Sequence, residues 1–170
     1  MKIGKTIRKM IMRKVDPFRS RVGVKGMCHL QLFGPDGKLK TERFVQNIVV
    51  NTGLTHIADQ MAATSDQTLM THMAVGTSGG TAGEGNTDVG TIAGARLALT
   101  GSTPTHSSGV VTYTCTFSAG VSTAALVEAG IFNAVSGGVM LCRTVYDVIN
   151  KLSADSLAIS WTLTFSDDGV

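Results

Sequence analysis

The sequence predicts an all-β protein: an antiparallel, jelly-roll-like β-sandwich with one short helix and a basic N-terminal arm. Two segments alternate between apolar and small polar side chains, and further short apolar segments are separated by turn-forming residues. The basic residues concentrate at the N-terminus. With 170 residues, 43% of them hydrophobic, the chain can bury one core. We therefore assign the arm to residues 1–25 and the sandwich domain to residues 26–170.

The arm carries most of the positive charge. Nine of the 15 Lys and Arg residues lie there with one acid, Asp16, which gives a net charge of +8. From Phe44 onward there are three bases and nine acids, a net charge of −6. This asymmetry predicts that the arm binds an anionic partner of its own. The residues expected to bind that partner are Lys2, Lys5, Arg8, Lys9, Arg13, Lys14, Arg19, Arg21 and Lys25.

The arm also has an apolar side, which indicates an amphipathic helix ended by Asp16-Pro17. Its apolar residues recur at helical spacing: Ile3, Ile7, Met10, Ile11 and Val15. A nucleic acid, a membrane surface or organellar import machinery, and an acidic groove on a large protein all attract such a segment. Phe18 is its one aromatic residue and it has no base-reading motif, so we favour a protein partner over specific nucleic-acid binding. No apolar run approaches the roughly 20 residues that span a membrane.

The strands can be placed in order along the domain. Residues 27–33 and 40–50 flank Gly34-Pro35-Asp36-Gly37, whose proline and Asp-Gly pair favour a hairpin. Segments 70–76, 95–100, 126–133 and 139–148 are shorter or less regular strands. The two alternating segments, 111–118 and 156–166, are half-buried antiparallel strands. Their apolar side chains predict the core: Cys115, Phe117, Leu157, Ile159, Trp161, Leu163 and Phe165.

The other faces of these two strands carry Ser and Thr instead of Lys and Glu. Such a neutral face can pack against a second copy or a neighbouring subunit, or it can be an ordinary polar surface in water; the sequence leaves both open. Cys28, Cys115 and Cys142 are odd in number and far apart, so we expect buried reduced thiols.

One helix is expected in the domain, and a glycine-rich loop follows it. Asn51-Thr52-Gly53 precedes apolar residues at helical spacing: Leu54, Ile57, Ala58 and Met61. Residues 76–94 contain seven glycines, which predicts an extended or flexible surface loop. The segment lacks the Gly-Lys-Ser/Thr of a Walker loop and the third glycine of a dinucleotide fingerprint, so it is not a phosphate site.

No arrangement of residues points to catalysis, a metal or a cofactor. The histidines, His29, His56, His72 and His106, lack ligand spacing. A serine nucleophile is expected in a GxSxG elbow between a strand and a helix, whereas the Gly-Ser pairs lie in turns of a β chain: Gly101-Ser102, Ser108-Gly109 and Ser136-Gly137. Glu128, Asp147 and Asp155 are carboxylates that could pair as in glycosidases. Because Glu128 and Arg143 both lie in apolar strand segments, we prefer a structural ion pair between neighbouring strands. We predict no enzymatic activity.

Several separate pieces of the chain resemble, in order, a family of tailed-bacteriophage virion proteins. The main pieces are LVEAGIFNA at 126–134, GVMLCRTV at 138–145, INK at 149–151 and DSLAISWTLTF at 155–165. NIVVNTGL at 47–54 and AVGT at 74–77 are also similar to that family. The resemblance covers roughly residues 42–166 and leaves the arm outside it.

The resemblance implies a non-enzymatic β-sandwich subunit of a phage particle, assembled in the host cytoplasm. We expect a capsid decoration (cement) protein whose arm clamps the major capsid protein shell, self-associating as a homo-dimer or homo-trimer. The alternative is a tail, neck, baseplate or fibre component. A carbohydrate-binding module is a third possibility, although 5% aromatic content with one Trp on an apolar strand face argues against it.

Overall fold

The computed structural model describes residues 22–62, 68–101 and 104–167 of the chain. The described part of the protein is an all-β sandwich, with 53% of these residues in strands, two antiparallel sheets and one short helix. The sandwich predicted from the alternating segments is therefore confirmed. No helix in the described ranges is long and apolar enough to cross a membrane.

Sheet I contains five strands: β1 Val22–Phe33, β2 Leu39–Gln46, β6 Thr105–Ser107, β7 Val110–Phe117 and β10 Ser156–Asp167. Their order across the sheet is β2-β1-β10-β7-β6. The predicted hairpin at residues 34–37 joins β1 to β2, and Gly37 takes the positive φ of 74° that favours glycine. Strand β10 lies between β1 and β7 and aligns Trp161 with Cys28 on one side and Tyr113 on the other.

Sheet II also contains five strands: β3 Ile48–Val49, β4 His72–Gly76, β5 Leu97–Ala98, β8 Ala124–Phe132 and β9 Met140–Lys151. Their order across the sheet is β3-β9-β8-β4-β5. The helix α1, Asn51–Ala62, follows β3 and packs against β9. A Cβ atom on Gly53 would overlap the backbone carbonyl of Leu141, so only glycine lets the helix lie this close to the strand.

The main core lies between the inner faces of the two sheets. Six of the seven predicted core residues are buried there, including Trp161 and Phe117 at 0% exposure, and Phe165 is partly buried against the same cluster. All three cysteines are free and buried. The inner face of sheet II contributes residues that were not singled out from the sequence, such as Met73, Leu126 and Ile149.

Several strand boundaries differ from the sequence prediction, the short strand β6 is not predicted, and two of the differences change where the chain enters and leaves sheet I. The predicted strand 40–50 is two strands, because the chain leaves sheet I at Asn47 and enters sheet II as β3. The Asn47 side chain accepts a hydrogen bond from Trp161 Nε1 at 2.8 Å, which holds this crossover against the core. Strand β1 begins at Val22, so Val22–Lys25, assigned to the arm, pair with β10 as part of sheet I.

Candidate interaction surfaces

The basic residues assigned to the arm fall into two groups. Eight of them, from Lys2 to Arg21, lie outside the described residues. Lys25 lies in β1, is exposed, and pairs across the sheet with Thr164 of β10. Lys25 therefore belongs to the surface of sheet I.

Burial of the basic residues that follow Phe44 makes the surface of this part of the chain more acidic than its sequence alone indicates. The three bases that follow Phe44 are Arg96, Arg143 and Lys151, and their exposed fractions are 7%, 4% and 1%. Each is engaged inside the sandwich or under a loop. Several acids of the same part of the chain are exposed: Glu84, Asp88, Asp147 and Asp167. From Phe44 onward, the described surface thus presents carboxylates and no exposed Lys or Arg.

Glu128 and Arg143 form the structural ion pair that the sequence predicts. Glu128 lies on β8 and Arg143 on β9, and both point to the outer side of sheet II. Arg143 donates to Glu128 Oε2 from Nη2 at 2.6 Å and from Nε at 3.0 Å. Both side chains are buried, so the pair is shielded from water and salt.

The same two side chains hold the glycine-rich loop. Glu128 accepts hydrogen bonds from the backbone N–H groups of Ser78, Gly90 and Thr91 at 2.9–3.1 Å. Arg143 donates to the carbonyls of Gly80 and Thr81 and to Asn86 Oδ1. The loop is anchored over the outer face of sheet II at both of its ends.

Ionisation of Glu128 is favoured by this arrangement. Burial alone would raise the pKa of the carboxyl, but hydrogen bonds from the Gly90 N–H, from Arg143 and from the Thr91 and Ser78 N–H groups outweigh it, and the pKa is lowered. The carboxylate is therefore charged at neutral pH and available to hold the loop.

A second small core completes the cover over sheet II. Val89 of the loop packs with Phe132, Met140 and Ala74 on the outer side of the sheet. Arg96 lies over the Phe132 ring, 3.6 Å from its centroid, and donates to Asp88 Oδ2 at 2.8 Å. The part of this outer face that lies under the glycine-rich loop is consequently buried and gives a partner little contact with the sheet itself.

The outer face of sheet I is different, because its side chains are half-buried or exposed in the described structure. Its centre, on β7 and β10, is a flat array of small uncharged residues in register: Thr112, Thr114, Thr116, Ala158, Ser160 and Thr162. At one side the exposed Phe44 ring stacks on His29 with centroids 4.2 Å apart. Glu42 Oε1 lies 2.6 Å from His29 Nε2.

Trp161 is fully buried and cannot stack on a sugar, as its apolar strand position predicts. Phe44, 64% exposed, is the large aromatic side chain that the described surface offers to a ligand. The aromatic array of a sugar-binding platform is therefore not formed by Trp161.

Glu128, Asp147 and Asp155, the carboxylates considered for catalysis, have different surroundings. Glu128 bonds Arg143, Asp147 is exposed, and Asp155 accepts two hydrogen bonds from Lys40 Nζ at 2.8 and 3.0 Å. The hydrogen bond from Lys40 lowers the pKa of Asp155, burial opposes it, and the Leu152 N–H adds to the lowering. Asp155 thus closes the turn between β9 and β10, which is a structural role.

Lys151 beside this turn is buried and donates to the Ser118 carbonyl at 2.9 Å. Burial lowers its pKa and the charge of Asp155 opposes that change. Among the described residues, no group of three or more His, Cys, Asp and Glu side chains is placed to hold a metal ion.

In comparisons with known proteins, no family model, no curated protein and no solved structure matches this chain.

Proposed function

We propose that this chain is a non-enzymatic structural protein of a tailed-bacteriophage particle, and more specifically a capsid decoration protein whose basic arm binds the major capsid protein shell. The observation that carries the proposal is the separation of charge. Arg96, Arg143 and Lys151 are buried, and the other 12 Lys and Arg residues all precede Phe44 in the sequence. An acidic protein surface attracts such an arm and repels the rest of the domain.

The resemblance to phage virion proteins supports the proposal through the positions of its residues. Glu128 and Arg143 clamp the loop, Lys151 and Asp155 lie at the β9–β10 turn, and Trp161 fills the core. These residues specify a rigid sandwich. A rigid sandwich repeated by symmetry, each copy bound by many weak contacts, reinforces a shell through avidity.

Self-association through the outer face of sheet I is part of the proposal. Strand β7 has 8 residues, so the five-stranded face measures about 24 by 26 Å, or about 600 Å². Specific interfaces begin at about 600 Å² per partner. The neutral centre of this face brings no like charges together when two copies meet about a two-fold axis, or when three copies surround a three-fold axis.

A charge placed in the centre of this face tests self-association. Ser160 lies on the middle strand β10, between His29 of β1 and Thr114 of β7. We expect Ser160→Lys to shift the protein from dimer or trimer to monomer in sedimentation equilibrium, because equivalent lysines would meet at the symmetric interface. Ser153→Lys, on the exposed β9–β10 turn, is the matched control and should leave the oligomer unchanged. An oligomer that persists unchanged in Ser160→Lys would exclude this face.

Copy number tests the function directly. Particles are purified from cells that carry the gene, and the chain is quantified against the major capsid protein by mass spectrometry. A decoration protein should be present at on the order of hundreds of copies per particle, as the shell repeats its subunits by symmetry. A few to about a dozen copies would instead assign it to the tail, neck, baseplate or fibre. Absence from purified particles would refute the whole proposal.

A further inference from the structure

Strand β2 forms one edge of sheet I. Asn47 donates its N–H to the Gly26 carbonyl of β1, and successive residues of an antiparallel strand alternate in the direction of their backbone groups. The N–H and C=O groups of Glu42, Phe44 and Gln46 therefore point away from β1, where no strand of the described structure pairs with them. An edge of this kind is a template for a further strand.

Two carbonyls on this edge accept hydrogen bonds from side chains. Arg43 Nη1 donates to the Glu42 carbonyl at 2.8 Å, and Thr144 Oγ1 donates to the Gln46 carbonyl at 2.8 Å. A carbonyl oxygen has two lone pairs, so each of these groups can still accept an N–H of another strand. The side-chain bonds therefore leave the edge competent to pair.

The exposed ring on this edge ends a stack that another strand can continue. Phe44 lies over His29 of the neighbouring strand, with ring centroids 4.2 Å apart and ring planes 7° apart. This separation is close to the spacing of about 4.8 Å between neighbouring strands, so the rings stack along the direction in which the strands follow one another. The other face of Phe44, a side chain that is 64% exposed, is therefore turned toward the open edge.

A second copy of β2 fits this edge when the two strands run antiparallel about a two-fold axis at Phe44. Phe44 then faces Phe44 of the second copy, and the stack becomes four rings with a His29 ring at each end. Glu42 faces Gln46 of the second copy, whose amide can donate to the carboxylate. The two nearest registers toward the β1–β2 hairpin place Arg43 opposite Arg43 or Glu42 opposite Glu42, and like charges disfavour both.

We propose that the β2 edges of two neighbouring copies pair in this register and join their five-stranded sheets I into one continuous sheet. About six backbone hydrogen bonds form, since three residues of each strand face the edge. Each copy contributes only residues 42–46, a length of about 16 Å, and the contact falls well short of the roughly 600 Å² per partner of a specific interface.

The small area gives this edge a particular task. The contact is too weak to hold free copies together, but it adds to the binding of copies that another contact already holds side by side. Under the proposed function, on which this last step rests, those copies are neighbours on the particle surface. The edge pairing itself is a property of the isolated chain and is separate from the contact through the outer face of sheet I.

Cysteine trapping in the full-length chain tests the register without any particle. Glu42→Cys and Gln46→Cys are combined with Ser160→Lys, which removes the contact through the outer face. The two cysteines lie about 13 Å apart along one strand and cannot bridge within one copy, whereas across the paired edges each lies about 5.5 Å, between Cα atoms, from the other cysteine of the second copy. The two single-cysteine variants, also with Ser160→Lys, are the matched controls.

Each protein is oxidised at about 1 mM, the effective concentration of tethered neighbours, and covalent dimers are followed on non-reducing gels. The native thiols are buried and do not compete. We expect the double-cysteine variant to form a covalent dimer at least about tenfold faster than either single-cysteine variant, because only the double variant places two cysteines opposite each other.

Two outcomes would overturn the proposal. A single-cysteine variant that dimerises as fast as the double variant would place Glu42 opposite Glu42, or Gln46 opposite Gln46, and so show another register. No covalent dimer in any variant would show that the edge does not pair with a second copy. Neither outcome bears on the proposed function, which the copy number in purified particles tests separately.

Discussion

Replacing Glu128 with Gln removes one charge from the centre of the loop clamp. The carboxylate accepts five hydrogen bonds, three from the loop backbone and two from Arg143. A glutamine offers one acceptor oxygen and one NH₂ group in their place. The glutamine amide can take two orientations. In the first, its oxygen accepts from the Ser78 and Thr91 N–H groups, and its NH₂ group faces two donors, the Gly90 N–H and the Arg143 guanidinium. In the second, the NH₂ group faces Ser78 and Thr91, whose N–H groups then have no acceptor.

The substitution therefore leaves at least two buried donors unpaired and a buried guanidinium without its counter-charge. Each unpaired donor costs about 1–3 kcal/mol, and breaking a buried ion pair costs about 3–5 kcal/mol in total. We expect Glu128→Gln to lower the free energy of unfolding by about 3–5 kcal/mol, measured by urea titration. In a domain of this size the melting temperature would fall by roughly 6–20 °C.

Glu84→Gln is the matched control, because it makes the same chemical change on an exposed side chain of the same loop. It should change the free energy of unfolding by less than about 0.5 kcal/mol. In the double variant Glu128→Gln/Arg143→Met the loss should be smaller than the sum of the two single losses by at least about 1 kcal/mol. A Glu128→Gln protein as stable as Glu84→Gln would refute the role assigned to the clamp.

Three further results are expected. Gly53→Ala should lower the free energy of unfolding by about 1–3 kcal/mol in urea titration, because the new methyl group meets the Leu141 backbone. A Cβ on Gly85 would meet nothing within 4 Å, so Gly85→Ala is the control and should be neutral. Equal effects of the two substitutions would contradict the close contact between α1 and β9. Burial raises the pKa of Cys115 to about 12 and also raises the pKa values of Cys28 and Cys142. An aromatic disulfide reagent at about pH 8 should therefore modify no thiol in the folded protein and all three thiols after unfolding. Rapid labelling of the folded protein would contradict the burial of the cysteines. The pKa values of Glu128 and Asp155 are lowered in the folded protein, so their contribution to stability is complete above the unfolded values near 4 and is lost as the pH falls through the folded values. The urea concentration at the unfolding midpoint should therefore decrease when the pH falls below about 4, and it should decrease less in Glu128→Gln. A midpoint unchanged from pH 6 to about pH 2.5 would contradict the stabilising role of these two carboxylates.

Local patterns were sufficient to predict the fold class and much of the core. Alternation along β7 and β10 identified which side of each strand is buried, because the side-chain period of a strand is two and depends on neighbours alone. The turn at residues 34–37 and the helix that begins at Asn51 are likewise specified by residues adjacent in the sequence. The ion pair between Glu128 and Arg143 followed from two charges in apolar segments, which need a partner when buried.

The clamp on the glycine-rich loop was not predicted, because it depends on backbone groups far along the chain from Glu128. The order of side chains in the sequence does not show in which direction the backbone N–H groups of a loop point. The glycines themselves were the available clue. A Cβ on Gly76 would lie 2.5 Å from Glu128 Oε1, so this glycine permits close approach to the carboxylate. From the sequence, this glycine indicates a flexible loop, whereas in the structure it lets the loop backbone lie close to the Glu128 carboxylate.

The passage of the chain from sheet I to sheet II at Asn47 was also missed. Periodicity distinguishes the two faces of a strand, but it does not show which sheet the strand joins. The clue again involves a glycine, since the Asn47 side chain occupies the space where a Cβ of Gly26 would lie. Such a pair lies 21 positions apart in the chain and is recognisable only once β1 and β2 are placed side by side.

Removing the positive charge of the arm tests whether this charge binds the protein to the particle. In the full-length chain, the eight bases from Lys2 to Arg21 are changed to Gln, and a second variant keeps all eight in permuted order. Each protein is expressed during particle assembly and its copies per particle are counted by mass spectrometry. We expect the neutralised protein to be lost from particles while its melting temperature stays that of the natural chain. Normal incorporation of the neutralised protein would contradict the claim that the arm binds an anionic partner.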